Sequence, residues 1–284
     1  MNIIKSTLLI ASLGMFSLSA NTAFAHETHA SALEEAIKGE HRSVKNKARD
    51  QYRHPLETLQ FFGFSENMTV VEITPGGGWY TEILAAALKG HGKLFGAHYP
   101  DTGEDNYYSK SRKKLEKKLA SDVIFDEVVL TDFVPGKVSE LAPQGSADLV
   151  LTFRNLHNWK NAGVEQVFED AFNALAPGGV LGVVEHRLPK GVSTKEAVGY
   201  VSQELTIKQA IAAGFIFAGA SEINANEKDL AIHPKGVWTL PPSLSLGEKD
   251  KAKYLAIGES DRMTLKFVKP ANKQFSEFKD KTTK

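Results

Sequence analysis

The chain has 284 residues, of which 42% are hydrophobic and 24% are charged, and its 34 basic residues balance its 34 acidic residues. This globular composition excludes a chain that is disordered, collagen-like or coiled-coil throughout. Zero net charge argues against broad binding to nucleic acid or anionic membranes, and the absence of cysteine excludes disulfides, thiolate nucleophiles and cysteine-ligated zinc.

Residues 1–25 have the pattern of a secretory signal peptide. Lys5 precedes an apolar stretch from Leu8 to Leu18, and Ala23-Phe24-Ala25 forms an A-x-A cleavage site. The apolar stretch is shorter than the roughly 20 residues that a membrane-spanning helix needs. We therefore expect cleavage near Ala25 and export to the periplasm without a membrane span, with an uncleaved anchor as the alternative.

The next segment, residues 26–64, is predicted to be helical. Apolar residues recur among many charges, and a break at His54-Pro55 predicts two short helices. Arg49, Asp50 and Arg53 lie close together in this segment. Asp50 and Arg53 are three residues apart and can form a surface ion pair on one helix face; alternatively, this helix closes over a ligand pocket.

Residues 65–270 alternate between strand and helix patterns. The predicted strands, rich in Val, Ile, Leu or Phe, are Thr69–Ile73, Lys93–Ala97, Val123–Leu130, Ala147–Phe153 and Val180–Glu185. The predicted helices are Tyr80–Leu88, Tyr107–Leu119, Val164–Leu175 and Gln203–Ala213. This alternation predicts a parallel sheet covered by helices on both faces.

The last part of this domain changes in character. Strands at Ile216–Ala220 and Met263–Val268, separated by an insertion at residues 224–262, predict antiparallel pairing at one sheet edge. A polar tail, residues 271–284, follows. The basic run from Lys110 to Lys118 is interpreted as a solvated helix face rather than a nucleic-acid patch.

Gly76, Gly77 and Gly78 lie between the first strand of this domain and its first helix. Glycine permits positive φ and close approach of a ligand, and a helix start favours an anion or a carboxylate. The turn lacks the Gly-Lys-Ser/Thr of a P-loop, and Thr81 breaks the dinucleotide pattern G-x-G-x-x-G. A tight turn without a ligand is the alternative.

The segment from Glu72 to Tyr80 resembles motif I of the class I S-adenosylmethionine-dependent methyltransferases. Glu72, Gly76 and Gly78 match this motif, whereas Thr74 stands where the family usually has its first glycine. The resemblance continues over roughly residues 66–270. It implies a Rossmann-like, seven-stranded, mostly parallel sheet with helices on both faces and an antiparallel last strand, preceded by the N-terminal helical segment.

Further positions along the chain also resemble this family. His98 ends the second strand, where the family has an acidic residue that binds the ribose, and Asp101 is the alternative acceptor. Asp132 resembles the family's adenine-contacting position. The resemblance implies an S-adenosylmethionine site formed by Glu72, Thr74, Gly76, Gly77, Gly78, Tyr80, His98, Asp132 and Asn155.

Two short segments resemble the family's motifs at the fourth and fifth strands. They are Ala147–Trp159 and Leu175–Val180. More narrowly, the combination of Pro75–Tyr80, Asn155–Trp159 and Gly258–Met263 resembles a group of uncharacterised predicted methyltransferases that often carry signal peptides.

His157 is the predicted general base, since its ordinary pKa of about 6.5 suits proton transfer near neutrality. A local role in bracing the loop is the alternative. Asn158 offers an amide beside it, and Glu185 offers a carboxylate at the ligand end of the fifth strand. We interpret Trp159 as packing rather than substrate stacking.

Other charged residues are assigned by their place in the chain. Glu185-His186-Arg187 either contacts substrate or forms loop ion pairs, and Ser260-Asp261-Arg262 is expected to bound the acceptor pocket with the insertion, which contains Trp238. His157 and His186 could come together, but they lack a helical ligand pair such as H-E-x-x-H, so no metal is predicted. His26 and His29 are adventitious ligands at most.

Together these features predict an S-adenosylmethionine-dependent methyltransferase that acts on an unidentified small molecule and has no nucleic-acid partner. The alternative is an exported, non-catalytic binding protein on the same scaffold, holding a different small ligand. Thr74 and His98, which depart from the family pattern, favour this alternative. The sequence contains no sign of oligomeric state.

Overall fold

The computed structural model describes residues 31–160 and 162–271. The predicted signal peptide, His26 and His29, and all but the first residue of the polar tail lie outside these residues. Among the described helices, all fall short of the length and apolar character that a membrane crossing requires.

Strands and helices alternate over most of the described chain. The strands are β1 (Thr69–Ile73), β2 (Lys93–His98), β3 (Val129–Asp132), β4 (Ala147–Phe153), β5 (Leu175–His186), β6 (Ile216–Ser221), β7 (Pro234–Val237) and β8 (Arg262–Val268). The helices are α1 (Ala32–Lys38), α2 (Val44–Lys47), α3 (Asp50–Arg53), α4 (Pro55–Phe62), α5 (Trp79–Leu88), α6 (Tyr107–Leu119), α7 (Leu156–Trp159), α8 (Val164–Ala174), α9 (Gln203–Ala212) and α10 (Lys251–Ile257).

Seven strands form one sheet in the order β3-β2-β1-β4-β5-β8-β6. β1 to β5 pair in parallel, and β8 runs antiparallel to both β5 and β6. This confirms the predicted mostly parallel sheet with an antiparallel last strand. The carboxyl ends of β1, β4 and β5 therefore meet at one edge, where ligands bind in open sheets of this type.

Each face of the sheet has its own apolar core. One core packs α1, α4 and α5 against β1 and β4, and the other packs α7, α8 and α9 against the opposite face. Because the central strands are covered on both faces, they are mostly apolar, as in Val70, Val71 and Ile73, each at most 1% exposed.

The described part of the N-terminal segment, residues 31–64, contains four short helices rather than the two predicted. His54 adopts a left-handed conformation with φ 39°, and Pro55 begins α4, so the predicted break is present. This segment is fastened to α5: Trp79 Nε1 donates to the Asn46 carbonyl at 3.0 Å, and Asn46 Nδ2 donates to Glu82 Oε2 at 2.8 Å. The helices before β1 thus close one side of the strand ends.

The predicted third strand begins too early. The Asp122 side chain accepts a hydrogen bond from the Ile124 N–H and starts a short 3-10 turn, Val123–Phe125. The first residues of the predicted strand Val123–Leu130 form this turn, so β3 begins only at Val129. Capping by a short acidic side chain overrides the strand preference of these residues.

The insertion is held by a buried carboxylate. Asp229 accepts hydrogen bonds from the Tyr200 hydroxyl at 2.8 Å and from the backbone N–H groups of Ala231 and Asp261, both at 2.8 Å. His233 Nε2 lies 2.7 Å from the same carboxylate. These contacts fix the insertion, with β7 and α10, against the start of β8.

Candidate functional site

A cavity of about 640 Å³ opens at the carboxyl ends of β1, β4 and β5. Its walls come from the turn after β1, the loop after β4, the end of β5, the start of β8, helices α2, α3 and α6, and the insertion. Trp238, Pro241 and Pro242 contribute the insertion's part, as expected for a segment at the ligand face. All the elements that sequence motifs placed near a ligand therefore meet here, except β2 and β3.

Residues 74–78 form the glycine turn. Gly76 has φ 60°, and a Cβ added to it would meet nothing within 4 Å, so a ligand can approach its backbone. Gly78 has φ 75°, and its added Cβ would lie 2.9 Å from Lys118 Cδ. Glycine at position 78 therefore satisfies both the turn and the close packing of α6.

Thr74 occupies a strained position in the glycine turn. Its φ is 51°, a region that β-branched residues rarely adopt, and its Oγ1 is buried without a hydrogen-bond partner among the described residues. Asn155 braces the turn, since its Nδ2 donates to the carbonyls of Ile73 at 3.1 Å and Thr74 at 3.4 Å. Thr74, Gly76, Gly77 and Asn155 all line the cavity.

The predicted nucleoside-binding residues are not among those lining the cavity. His98 is buried, its Nε2 lies 3.2 Å from Ser111 Oγ on α6, and burial lowers its pKa to about 4. Asp132 is exposed and accepts a hydrogen bond from Arg112 NH1 at 3.1 Å. His98 nevertheless lies beside the glycine turn, because the Gly76 backbone contributes to its pKa and the Thr74 N–H donates to the carbonyl of neighbouring Ala97 at 2.7 Å. Asp132 instead binds Arg112 on α6.

Glu72 and Tyr80 support the turn from behind. Thr81 Oγ1 donates to Glu72 Oε2 at 2.6 Å, and burial raises the pKa of Glu72 to about 7. The Tyr80 ring stacks on Phe153, with ring centroids 3.5 Å apart. Neither Glu72 nor Tyr80 lines the cavity.

His157 faces the cavity and is held by Glu185. Glu185 is fully buried; its Oε1 lies 3.0 Å from His157 Nδ1, and its Oε2 accepts the backbone N–H of His157 at 3.3 Å. A carboxylate only accepts hydrogen bonds, so Nδ1 carries the proton and Nε2 presents a lone pair. Within the described chain, Nε2 makes no hydrogen bond, which leaves it free for proton transfer. Asn158, exposed beside it, also lines the cavity.

His186 lies next to His157, with ring centroids 5.1 Å apart. Its Nδ1 lies 2.6 Å from Ser260 Oγ, and its backbone N–H donates to Glu185 Oε1 at 2.7 Å. Burial, followed by the charges of His157 and Arg262, holds the pKa of His186 well below its ordinary value. His186 is therefore a neutral ring at pH 7.

His157, Glu185 and His186 each offer one metal-ligand atom, and these atoms lie within 4.8 Å of one another. However, Glu185 already accepts three hydrogen bonds, and the arginine charges that depress the His186 pKa also oppose a divalent cation. The arrangement suits an oriented base better than a metal centre, and the absence of metal stays a prediction.

Four arginines, here called the arginine cluster, line the same cavity: Arg49, Arg53, Arg154 and Arg262. Glu259 is the carboxylate among them. Its Oε1 accepts from Arg49 Nε at 2.5 Å, its Oε2 accepts from Arg53 Nε at 3.3 Å, and Arg262 also binds it. Burial alone raises the pKa of Glu259, but the charges of Arg262 and Arg53 outweigh it and hold the pKa well below its ordinary value.

Arg154 differs from the other members of the cluster. It directly follows β4, has φ 61°, and its backbone N–H donates to the Val184 carbonyl at 2.7 Å. Within residues 31–160 and 162–271 its guanidinium makes no hydrogen bond or ion pair. Burial and then the charge of Arg262 lower its pKa to about 10, so it remains a cation at pH 7.

Several predicted ion pairs are arranged differently. Asp50 pairs with Arg42 at 2.7 Å and not with Arg53, so the surface pair is wrong and the helix does close over the cavity. Arg187 pairs with Asp261 at 2.8 Å and with Glu222. Of Glu185, His186 and Arg187, only His186 lines the cavity. Trp159 is packing, since it is 1% exposed and donates to the Tyr99 hydroxyl.

The basic run on α6 is only partly a solvated face. Lys110 is exposed, but Lys114 lines the cavity and Lys118 reaches across the glycine turn to bind the buried Glu82. With Lys45 and the arginine cluster, the described cavity wall carries seven basic side chains and one carboxylate. A neutral chain thus concentrates positive charge at one place.

No protein-family model matches the chain, and no curated protein sequence does either. Solved structures do resemble it. A SAM dependent methyltransferase from Aquifex aeolicus is 14% identical, with a TM-score of 0.53 over 78% of this chain and 92% of the other. The [4+2]-cyclase SpnF is 13% identical, with a TM-score of 0.57 over 83% and 86% of the two chains. CrArsM, an arsenic (III) S-adenosylmethionine methyltransferase from Chlamydomonas reinhardtii, is 12% identical, with a TM-score of 0.50 over 86% and 74%.

Proposed function

We propose that this chain, which has the fold of the class I S-adenosylmethionine-dependent methyltransferases, transfers a methyl group from S-adenosylmethionine to a small molecule. One observation carries the proposal: a single cavity joins the open glycine turn to a histidine that a buried carboxylate orients. The fold by itself does not imply the reaction, since a protein named as a cyclase shares it.

The glycine turn fits the amino-acid part of the cofactor. Gly76 leaves room for close approach, and Lys114 Nζ lies 3.7 Å from the position of an added Cβ on Gly77. A carboxylate is stabilised by this ammonium and by the start of α5. The nucleoside part lacks a free carboxylate acceptor at the two predicted positions, because position 98 is a histidine and Asp132 binds Arg112. We therefore expect modest cofactor affinity.

When bound, the cofactor supplies an electrophilic methyl group on a sulfonium. His157 Nε2 is placed to receive the proton that the acceptor loses. Glu185 keeps Nδ1 protonated and stabilises the imidazolium that results. Asn155 holds the turn in place, so the chain's main contribution is alignment of the reacting groups and removal of one proton.

A second candidate is a non-catalytic binding protein on the same scaffold. Histidine at position 98, where the family has an acidic residue, favours it, and so does the pairing of Asp132 with Arg112. Export to the periplasm also remains a proposal, supported by the pattern of residues 1–25. An exported enzyme would need an external supply of cofactor.

Calorimetric titration of the full chain with S-adenosylmethionine and S-adenosylhomocysteine tests the proposal. We expect saturable heat with both, lost in Gly76→Leu. Gly90→Leu is the matched control, since Gly90 also has positive φ and open space but lies outside the cavity. No heat at millimolar ligand would exclude the methyltransferase. Mass spectrometry of small molecules that copurify would then identify the ligand of a binding protein.

A further inference from the structure

The charges of the arginine cluster do not balance. Arg53 and Arg262 are 3% and 2% exposed, and Glu259, at 2%, is the only carboxylate on the described cavity wall. Several buried cations around one buried anion are strongly destabilising unless another negative group joins them. The cluster therefore has the electrostatics of a site that an anion completes.

Hydrogen bonding within the cluster is incomplete at two groups. Arg262 Nε is buried and has no partner among the described residues, although its other nitrogens bind Glu259 and the Tyr52 carbonyl. The Arg154 guanidinium has no partner in the same part of the chain and is partly exposed to the cavity. A planar guanidinium presents a fork of donors that matches the oxygens of a carboxylate or a phosphate.

The backbone holds Arg154 in this position at a cost. A left-handed conformation is unfavourable for a residue with a Cβ, and such strain persists where the surroundings fix it. The Arg154 N–H donates to the Val184 carbonyl, which ties the loop to β5. The loop thus places Arg154 on the cavity wall, where its charge acts on His186, Tyr80 and Glu72.

We infer that the molecule that receives the methyl group carries an oxyanion, a carboxylate or a phosphate, which binds Arg154 and Arg262. This inference rests on the proposed function, because it names the acceptor of that reaction. The anion places the acceptor beside His157, whose Nε2 faces the same cavity. A dianion leaves the cluster nearer neutrality than a monoanion, so phosphate monoesters and dicarboxylates are favoured over monocarboxylates.

The test measures the thermal stability of the full chain in sodium phosphate, succinate, acetate or chloride at constant ionic strength. We expect saturable stabilisation by phosphate or succinate, smaller by acetate and absent with chloride. The phosphate and succinate arms distinguish the two kinds of oxyanion. Equal melting temperatures in all four salts would overturn the inference.

Two variants separate a site from a general charge effect. Arg154→Gln removes the unpaired cation, so we expect a higher melting temperature without anion and binding weakened by about tenfold or more. Lys110→Gln removes one charge from the exposed part of α6 and should leave anion binding within about twofold, since exposed charges interact weakly. If both variants weaken anion binding equally, the effect is one of net charge, and the proposed site at Arg154 is wrong.

A competition experiment separates this inference from the proposed function. Anion binding that persists with saturating S-adenosylhomocysteine supports an acceptor site. Anion binding that competes with S-adenosylhomocysteine overturns it and assigns the cluster to the cofactor's carboxylate. If S-adenosylhomocysteine does not bind while the anion does, the proposed methyl transfer fails and the oxyanion site stands.

Discussion

On the β1 side of the cavity, the wall is mostly backbone: Thr74, Gly76 and Gly77 expose main chain, and Asn155 braces their carbonyls. On the β5 and β8 side, the wall is made of charged and titratable side chains drawn from distant parts of the chain, as when Arg49 meets Glu259. The fold determines the first wall through strand ends and turns. The second wall depends on side-chain identity and sets the chemistry that the cavity can support.

Of the substitutions in the two walls, we expect one at His157 to have the largest effect on activity. We expect His157→Ala to lower kcat about 100- to 10,000-fold, because the general base is lost. Formation of S-adenosylhomocysteine measures this once an acceptor is identified. Lys160→Ala, exposed just after α7, is the control and should retain full activity. Full turnover by the alanine variant at position 157 would remove the histidine as base and leave it a bracing role.

The next effect concerns the stability of the arginine cluster. Glu259→Gln removes the buried carboxylate that Arg49, Arg53 and Arg262 share, so we expect unfolding free energy to fall by about 3 kcal/mol or more. Urea denaturation measures the loss. Glu248→Gln, in a solvated position, should change stability by less than about 0.5 kcal/mol. If Glu259→Gln lowers the free energy of unfolding only slightly, the arginine cluster does not depend on the Glu259 carboxylate for its stability.

Sequence patterns predict the two walls unequally. The bounds of β1 and β4 were predicted correctly, because buried parallel strands are apolar runs that end at turn residues. The glycine turn was also placed correctly between strand and helix. Backbone geometry is encoded locally, so a short window of sequence contains most of the information needed for that wall.

The charged wall has no comparable local signal. Arg49 and Glu259 are 210 positions apart, and their pairing depends on the complete fold. Arg154 is a single arginine after a strand, and no pattern separates it from a solvated one. Lys114 lies in a run that resembles any exposed helix face. The sequence singles out His157 because histidine has a chemistry of its own, whereas the contact between His157 and Glu185 is visible only in the structure.

The buried Glu72, behind the glycine turn, should make the stability of the chain depend on pH. Its folded pKa is about 7, above its ordinary 4.5, because burial favours the neutral form. Such a group destabilises the folded chain as pH rises from about 4.5 to 7, by about 3 kcal/mol in total. We expect Glu72→Gln to be more stable than the wild type at pH 8, with the difference vanishing near pH 4.

Because the wild type and Glu72→Gln both retain the other titrating groups, such as His98 and His186, the difference between their stabilities reports on Glu72 alone. Melting temperatures across pH 4 to 8 give the measurement. Glu57→Gln is the control at an exposed glutamate on α4 and should show no such trend. A difference between wild type and Glu72→Gln that does not change with pH would show that burial does not shift the pKa of this carboxyl between the unfolded and the folded chain.

The smallest effect is expected at Thr74, where the backbone wall departs from the family pattern. Thr74→Gly removes an unfavourable left-handed β-branched residue and a buried hydroxyl without a described partner. Glycine also adds entropy to the unfolded chain, so the net gain should be about 1 kcal/mol. Thr74→Ala keeps the left-handed strain while it removes the buried hydroxyl, so it should stabilise the chain less than glycine does.

If Thr74→Gly stabilises the chain and also tightens S-adenosylhomocysteine binding, the strain at position 74 limits cofactor affinity. If it stabilises without any change in binding, the backbone wall is not where affinity is determined, and the charged wall becomes the part of the cavity that selects the ligand.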